Sequence, residues 1–189
     1  MTRTLLLPRH LFPALLAALL FAGLAAPMPA QAASKQEIDI KVRDALKRFK
    51  KEVGGASEFL AKAEGVLVFP EVIKAGIGIG GEYGEGALLI NGKVVDYYNT
   101  ASASIGFQLG AQLKTVILVF LEKSALDKFR NSEGWEAGVD GSVALATLGA
   151  GASIDSSNFQ KPIVGFVFGN KGLMYNLTLE GSKYTRLKK

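Results

Sequence analysis

Two carboxylates, Glu82 and Glu85, lie close together in a glycine-rich segment and are the first residues that could carry chemistry. Paired acids can perform acid–base catalysis or bind calcium, but no calcium-loop pattern of alternating aspartates accompanies them. Acids exposed in a turn are the simpler interpretation, and a functional pair is the alternative. The chain has no cysteine, and its one histidine, His10, lies in a segment that is expected to be removed. Serine–histidine and cysteine–histidine nucleophile systems and the usual zinc sites are therefore excluded.

This inventory of side chains favours a binding or structural protein over an enzyme. We expect no cofactor and no metal site. Residues 76–81 do have the G-x-G-x-x-G spacing of a dinucleotide-binding loop, and Asp96 follows at about the distance of a ribose ligand. Such a loop needs its last glycine to open a helix that faces the pyrophosphate. Here Gly84, Gly86 and another aliphatic run follow instead, so the nucleotide interpretation fails.

The same glycines predict the shape of the sheet. Glycine and isoleucine alternate from 76 to 80, which places bare backbone on one face of a strand and branched side chains on the other. A face without side chains lets another backbone come close. The segment 63–90 is therefore expected to form the centre of a strongly curved sheet.

Residues 36–53 have the spacing of an amphipathic helix with an apolar stripe about 100° wide. The other faces carry four acidic and six basic residues, the latter being Lys41, Arg43, Lys47, Arg48, Lys50 and Lys51. Two interpretations are open: a helix docked on the sheet with a solvated charged face, and a surface that binds anionic lipid. Each cation near an anionic bilayer contributes about 1 kcal/mol, so an excess of two cations is weak by itself. Firm binding would also require the apolar stripe to enter the membrane interface.

The N-terminal residues have the pattern of a secretory signal. Arg3 and Arg9 precede an apolar run over 11–26, which is short for a membrane span. Ala30 and Ala32 form an A-x-A-like pattern, so we expect cleavage near Ala32 and export to a bacterial periplasm or envelope. An uncleaved N-terminal anchor is the alternative. The absence of cysteine excludes a lipoprotein acylated on cysteine and a disulfide scaffold.

The remaining residues, 33–189, are predicted to form one domain, with the amphipathic helix in 33–55 and the core in 56–189. They carry 20 basic and 17 acidic residues, a net charge of +3, which does not by itself indicate a nucleic-acid partner. The expected fold class is α+β: a mostly antiparallel, strongly curved or barrel-like sheet with N-terminal helices and a short additional helix.

Individual elements of this core follow from local patterns. Ser57 is expected to cap a short second helix. Asn91-Gly92 predicts a hairpin turn, and Trp135 is interpreted as a core anchor. Strands are expected over 94–99, 102–113 and 116–121, a short helix over 124–130, and a last hairpin over 163–179 that turns at 169–172. The uncharged polar face of 102–113 suits either a solvated wall or the lining of a groove.

Four segments of the core resemble the SYLF domain in its exported bacterial form. They read KAEGVLVFPEVIKAGIGIGGEYGEGALL, YYNTASASIGFQLGAQ, ALDKFRNSEGWEAGVDGSVA and GFVFGNKGLMYNLTLEGSKYTRL, and together they cover nearly all of 56–187 in the family's order. The resemblance implies a lipid-binding module, since eukaryotic members bind phosphoinositides and fungal relatives also bind and bundle actin. It thus implies a membrane-surface adaptor that is not an enzyme.

The resemblance also indicates where lipid would bind. In eukaryotic relatives a basic amphipathic segment ahead of the domain contributes to binding, and residues 36–53 are similar in position and character. Within the domain it points, through basic charge in matching motifs, to Lys74, Lys171 and Lys183. Anionic phospholipids of an envelope membrane are the implied ligands, because an exported bacterial protein is not expected to meet actin, and phosphoinositides are scarce there. A structural or protein-binding envelope module, packing through its glycine and alanine faces, is the alternative.

Overall fold

The computed structural model describes residues 33–149, 151–154, 161–171 and 179–189. The expected signal segment lies outside these residues, as does 172–178, most of the expected returning strand of the last hairpin. The described helices are α1 (Lys35–Glu52), α2 (Ala56–Ala61) and α3 (Lys123–Arg130). The described strands are β1 (Gly65–Ile90), β2 (Lys93–Phe120), β3 (Trp135–Glu136), β4 (Val143–Thr147), β5 (Ile163–Lys171) and β6 (Lys183–Leu187).

Strands β1 and β2 form one long antiparallel hairpin, which pairs Gly65 with Phe120 at its open end. Asn91 and Gly92 make the turn with φ angles of 51° and 73°, as their sequence predicts. The expectation of three strands between 94 and 121 is wrong, because the polar residues between the apolar runs stay paired with β1. Three register shifts in the pairing bend the two strands without a turn.

Strand β1 curls so strongly that its two halves touch. A Cβ atom at Gly84 would lie 2.7 Å from the carbonyl oxygen of Glu71, and one at Gly86 would overlap the carbonyl oxygen of Val68. Pro70 lies at a register shift, where a strand tolerates proline, and its carbonyl accepts a 2.9 Å hydrogen bond from the Thr115 hydroxyl. The strongly curved sheet predicted from the glycines is confirmed.

The other strands add to the two halves of β2. Strand β5 pairs with 113–120 and β6 with 97–101, both antiparallel. The order is β3-β6-β2-β5-β4, with β1 also paired to β2, and β4 runs parallel to β5. The predicted α+β class with a mostly antiparallel sheet is thus confirmed. Glu82 and Glu85 lie within β1, so their expected position in a turn is wrong.

Alternation along the long hairpin divides the apolar residues between two cores. One face of the sheet packs on α3. The core between them includes the aromatic residues Phe69, Phe120, Phe129, Trp135 and Tyr184. The other packs on α1 and α2 and includes Val68, Ile117, Val119, Phe166 and Phe168. Trp135 is buried and lies 5.6 Å from Phe129 between ring centroids, which confirms it as a core anchor.

Helix α2 begins two residues earlier than its sequence predicted. Gly55 has a φ angle of 78° and stands at the N-cap position, whereas Ser57 lies inside the helix. Glycine adopts this left-handed conformation without strain, and a Cβ atom there would overlap the carbonyl oxygen of Ile154. The need for a tight turn after α1 therefore overrides the capping preference of Ser57.

We expect Gly86→Ala to destabilise residues 33–189 by about 3 kcal/mol, because the added methyl group overlaps backbone in the curl. Gly81→Ala is the matched control in the same strand, since its Cβ would meet only the carbonyl oxygen of Ser102, at 3.7 Å. Urea unfolding of both variants measures the difference. Equal losses of stability would contradict the inference that the curl depends on this close approach.

Candidate functional site

Helix α1 is docked on the sheet by its apolar stripe. The hydroxyl of Ser34 caps the helix by accepting a 3.2 Å hydrogen bond from the backbone N–H of Glu37. The ring of Phe49 lies 5.3 Å from that of Phe166 and 5.2 Å from that of Phe168. Since the stripe is buried in this contact, the docked interpretation is the one that the structure shows. The buried residues of the stripe are Ile38, Val42, Ala45, Phe49 and Val53.

Three of the six predicted cations of α1 have acidic partners. Lys41 Nζ lies 2.9 Å from carboxylate oxygens of both Glu37 and Glu71, and these hydrogen bonds raise its pKa. Arg43 lies 3.8 Å from Asp39. Arg48 lies 3.5 Å from Glu52 and stacks over the ring of Phe168. These pairs are exposed, so each contributes little to stability, but each reduces the positive charge of its side of the helix.

The other three cations, Lys47, Lys50 and Lys51, are exposed and have no ion pair or side-chain hydrogen bond to any residue that the structure describes. Lys47 and Lys51 lie opposite the buried stripe, and Lys50 lies at its flank beside Leu46. Ile40 lies on the same face and is 54% exposed. We call Ile40, Lys47, Lys50 and Lys51 the outer face of α1. Asp44 is also exposed near it.

Lys74 does not lie on the surface but in a buried charge cluster. Its Nζ atom is 3.2 Å from Oε1 of Glu82, and Nζ of Lys114 is 2.6 Å from Oε2 of the same carboxylate. The side chains of Lys74, Glu82 and Lys114 are 5%, 9% and 1% exposed. The Lys114 contact is ionic, since its ammonium finds no well-directed hydrogen bond. One carboxylate thus compensates two buried ammonium groups.

Glu85 has a different role from Glu82, because it ties the end of β6 to the start of α1. Its carboxylate accepts hydrogen bonds of 2.8 Å from Lys189 Nζ and 2.9 Å from the Tyr83 hydroxyl. Lys189 also donates to the carbonyl of Ala33. Burial alone would raise the pKa of Glu85, but these donors hold it below its usual value. The sequence suggested no partner for Glu85, because Lys189 is 104 residues away.

Two clefts flank α1. A cleft of about 580 Å³ lies toward Pro70 and Thr115, and its lining includes Asp44, Glu52 and Glu71 beside Lys41 and Arg48. A second cleft of about 370 Å³ lies between α1, α2 and the β1–β2 turn. The described residues include no cluster of three or more potential metal ligands and no helix that is long and apolar enough to cross a membrane.

A family model described as "Ysc84: Las17-binding protein actin regulator" matches residues 101–189. This is the family that the SYLF resemblance indicated. These residues, a little under half of the chain, resemble the Ysc84 (SYLF) family. The match includes the end of β2 and all later elements, whereas α1 and β1 lie ahead of it. No curated protein matches the chain.

The family model over residues 101–189 suggests a lipid- or actin-binding module. Of the two lysines predicted in its final hairpin, Lys183 is exposed on β6, with Cε close to Gly134. Lys171 is the last residue of β5, and its side chain lies outside the described part of the structure. The fold therefore does not gather all nine predicted cations on one surface. It brings together those of α1, and it buries Lys74.

We expect Glu82→Gln to cost about 3–5 kcal/mol of unfolding free energy, because it leaves two buried ammonium groups without a counter-charge. Lys114→Met should cost less, since it leaves one lysine and one glutamate in balance and keeps the volume of the side chain. Denaturant unfolding of the two variants measures this order. If Lys114→Met proved the more damaging change, the surplus of positive charge in the cluster would not be what Glu82 compensates.

Proposed function

We propose that the protein binds the anionic phospholipid surface of a bacterial envelope through the outer face of α1. The observation that supports this most directly is that Lys47, Lys50 and Lys51 are exposed and unpaired among the described residues, while the opposite stripe is held on the sheet. The protein would act after export and removal of the residues before Ala33. In this proposal the module is an adaptor that carries no catalytic site.

The contacts of α1 decide which predicted cations serve this function. Lys41 is the least suited, because two carboxylates already hold its ammonium at 2.9 Å. Arg48 is held by Glu52 and by the ring of Phe168. Lys74 is buried and compensates Glu82, so it cannot reach a headgroup without opening the sheet. Lys183 is exposed and can add a contact from β6.

The magnitude of the charge term predicts weak, reversible binding. Three lysines near an anionic surface contribute about 3 kcal/mol together, less than the roughly 4 kcal/mol of a millimolar complex. Insertion of the exposed Ile40 side chain adds an apolar contribution from the same face. Binding should therefore rise with the anionic lipid content and fall with salt, because exposed charges are screened.

The test is co-sedimentation of Ala33–Lys189 with vesicles of increasing anionic phospholipid content, at low and moderate salt. Replacing Lys47, Lys50 and Lys51 together by Gln should weaken binding at least tenfold, since about 3 kcal/mol of attraction is lost. The matched control replaces Lys93, Lys161 and Lys188 by Gln, which removes the same charge from exposed positions outside α1.

The control variant should keep most of the binding. If the two triple variants lost vesicle binding equally, the net charge of the protein would account for the attraction and the outer face of α1 would not be a specific binding surface. If the unmodified protein bound neither neutral nor anionic vesicles, that result would contradict the lipid function altogether.

A further inference from the structure

The cleft of about 370 Å³ beside α1 is an apolar groove in the described part of the structure. Leu46 of α1, Leu60 of α2 and Leu89 of β1 line it, with Ala61, Ala63 and Val66. Leu46, Leu60 and Val66 are only partly buried, so their apolar surface faces the groove after packing against the core. We call this cleft the hairpin groove, because Asn91 and Gly92 of the β1–β2 turn close one end.

The charge around the hairpin groove is positive. Lys50 is the one charged residue in its lining, and the other polar members are Ser57 and Asn91. Lys50 also belongs to the outer face of α1, and Leu46 and Lys47, about one helical turn before it, flank it on its two sides. The larger cleft on the other side of α1 differs, since its lining carries three carboxylates and three cations and is therefore more highly charged. A small apolar cavity with one cation at its edge suits an amphiphile with an anionic head and an apolar tail.

We propose that the hairpin groove takes one acyl chain of an anionic phospholipid, whose headgroup lies against Lys50 and its neighbours on the outer face of α1. This inference rests on the proposed lipid function and adds a defined chain site to it. The groove has the volume of the smaller ligand pockets of proteins and a lining of mainly aliphatic side chains. Burial of the acyl chain in the groove would add an apolar contribution to binding, which supplements the weak electrostatic attraction of the three lysines.

The absence of native cysteine permits a direct test. Ser57 is exposed and lines the groove, so Ser57→Cys carries a small fluorophore at its edge. Ser124→Cys, exposed at the start of α3, is the matched control. Both labelled proteins are mixed with anionic vesicles that contain phospholipid with a nitroxide on the acyl chain, or on the headgroup.

The groove predicts that the acyl-chain nitroxide quenches the label at position 57 at least as strongly as the headgroup nitroxide does, and quenches the label at 124 weakly. Ala61→Phe places a ring in the groove from an exposed position. It should weaken vesicle binding about tenfold, the effect of about two buried methylene groups. Ser124→Phe adds the same ring outside the groove and should leave binding unchanged.

The outcomes separate the two proposals. If binding depended on charge but the acyl-chain nitroxide did not quench the label at position 57, the acyl-chain site would be overturned. The same would follow if Ala61→Phe left binding unchanged, and the outer face of α1 would remain as the lipid site. No binding to anionic vesicles by the unmodified protein would contradict both. A melting temperature of the Ala61→Phe protein equal to that of the unmodified protein establishes that the added ring changes binding and not folding.

Discussion

The close approach of β1 to itself is the constraint on which the rest of this structure depends. Gly84 and Gly86 have no side chains to hold Val68 and Glu71 away, so a strand of 26 residues can fold back over its own first half. The long hairpin then encloses an aromatic core on one face and presents a continuous apolar surface on the other. Helix α1 covers that second surface, which fixes the side of the helix that meets solvent.

Docking of α1 determines how its charges can act. The apolar stripe is already buried against Phe166 and Phe168, so membrane binding does not have that surface to use. Lys41, Arg43 and Arg48 form ion pairs, which leaves Lys47, Lys50 and Lys51 unpaired among the described residues of α1, with Lys50 in the lining of the hairpin groove. Inside the sheet, Lys74 and Lys114 are held by Glu82, which gives these charges a structural role. Lysine side chains thus pair with a carboxylate inside the sheet and, in the proposed function, contact lipid on the outer face of α1.

Local patterns in the sequence predicted the local features well. The amphipathic period predicted α1 within one residue at each end, and Asn91-Gly92 predicted the turn. The glycine-rich segment predicted the curvature, although the close approach occurs at Gly84 and Gly86 and not in the alternating residues 76–80. The single long β2 was missed, because Thr100 and Lys114 look like breaks unless their partners in β1 are known. Parallel pairing of β4 with β5 likewise depends on contacts across the chain.

The candidate site was predictable only in part, for the same reason. Composition and the family resemblance located the cations of α1, and the i,i+4 spacing of Glu37 and Lys41 indicates one ion pair, but Glu71, the second partner of Lys41, becomes apparent only once the helix is docked. Lys74 was predicted to bind lipid from its charge alone, because its burial beside Glu82 and Lys114 becomes apparent only once β1 and β2 are folded together. The hairpin groove combines three separate segments, none of which carries a binding motif.

The central claim is that α1 stays docked on the sheet while its outer face contacts lipid. A distance measurement between two spin labels tests it most directly, with one label at Asp44→Cys on α1 and one at Ser124→Cys on α3, both exposed positions in a chain without cysteine. With enough anionic vesicles to bind the protein, the distance distribution should match that of the free protein. A longer or much broader distribution would show that α1 leaves the sheet and inserts its apolar stripe, which contradicts the claim.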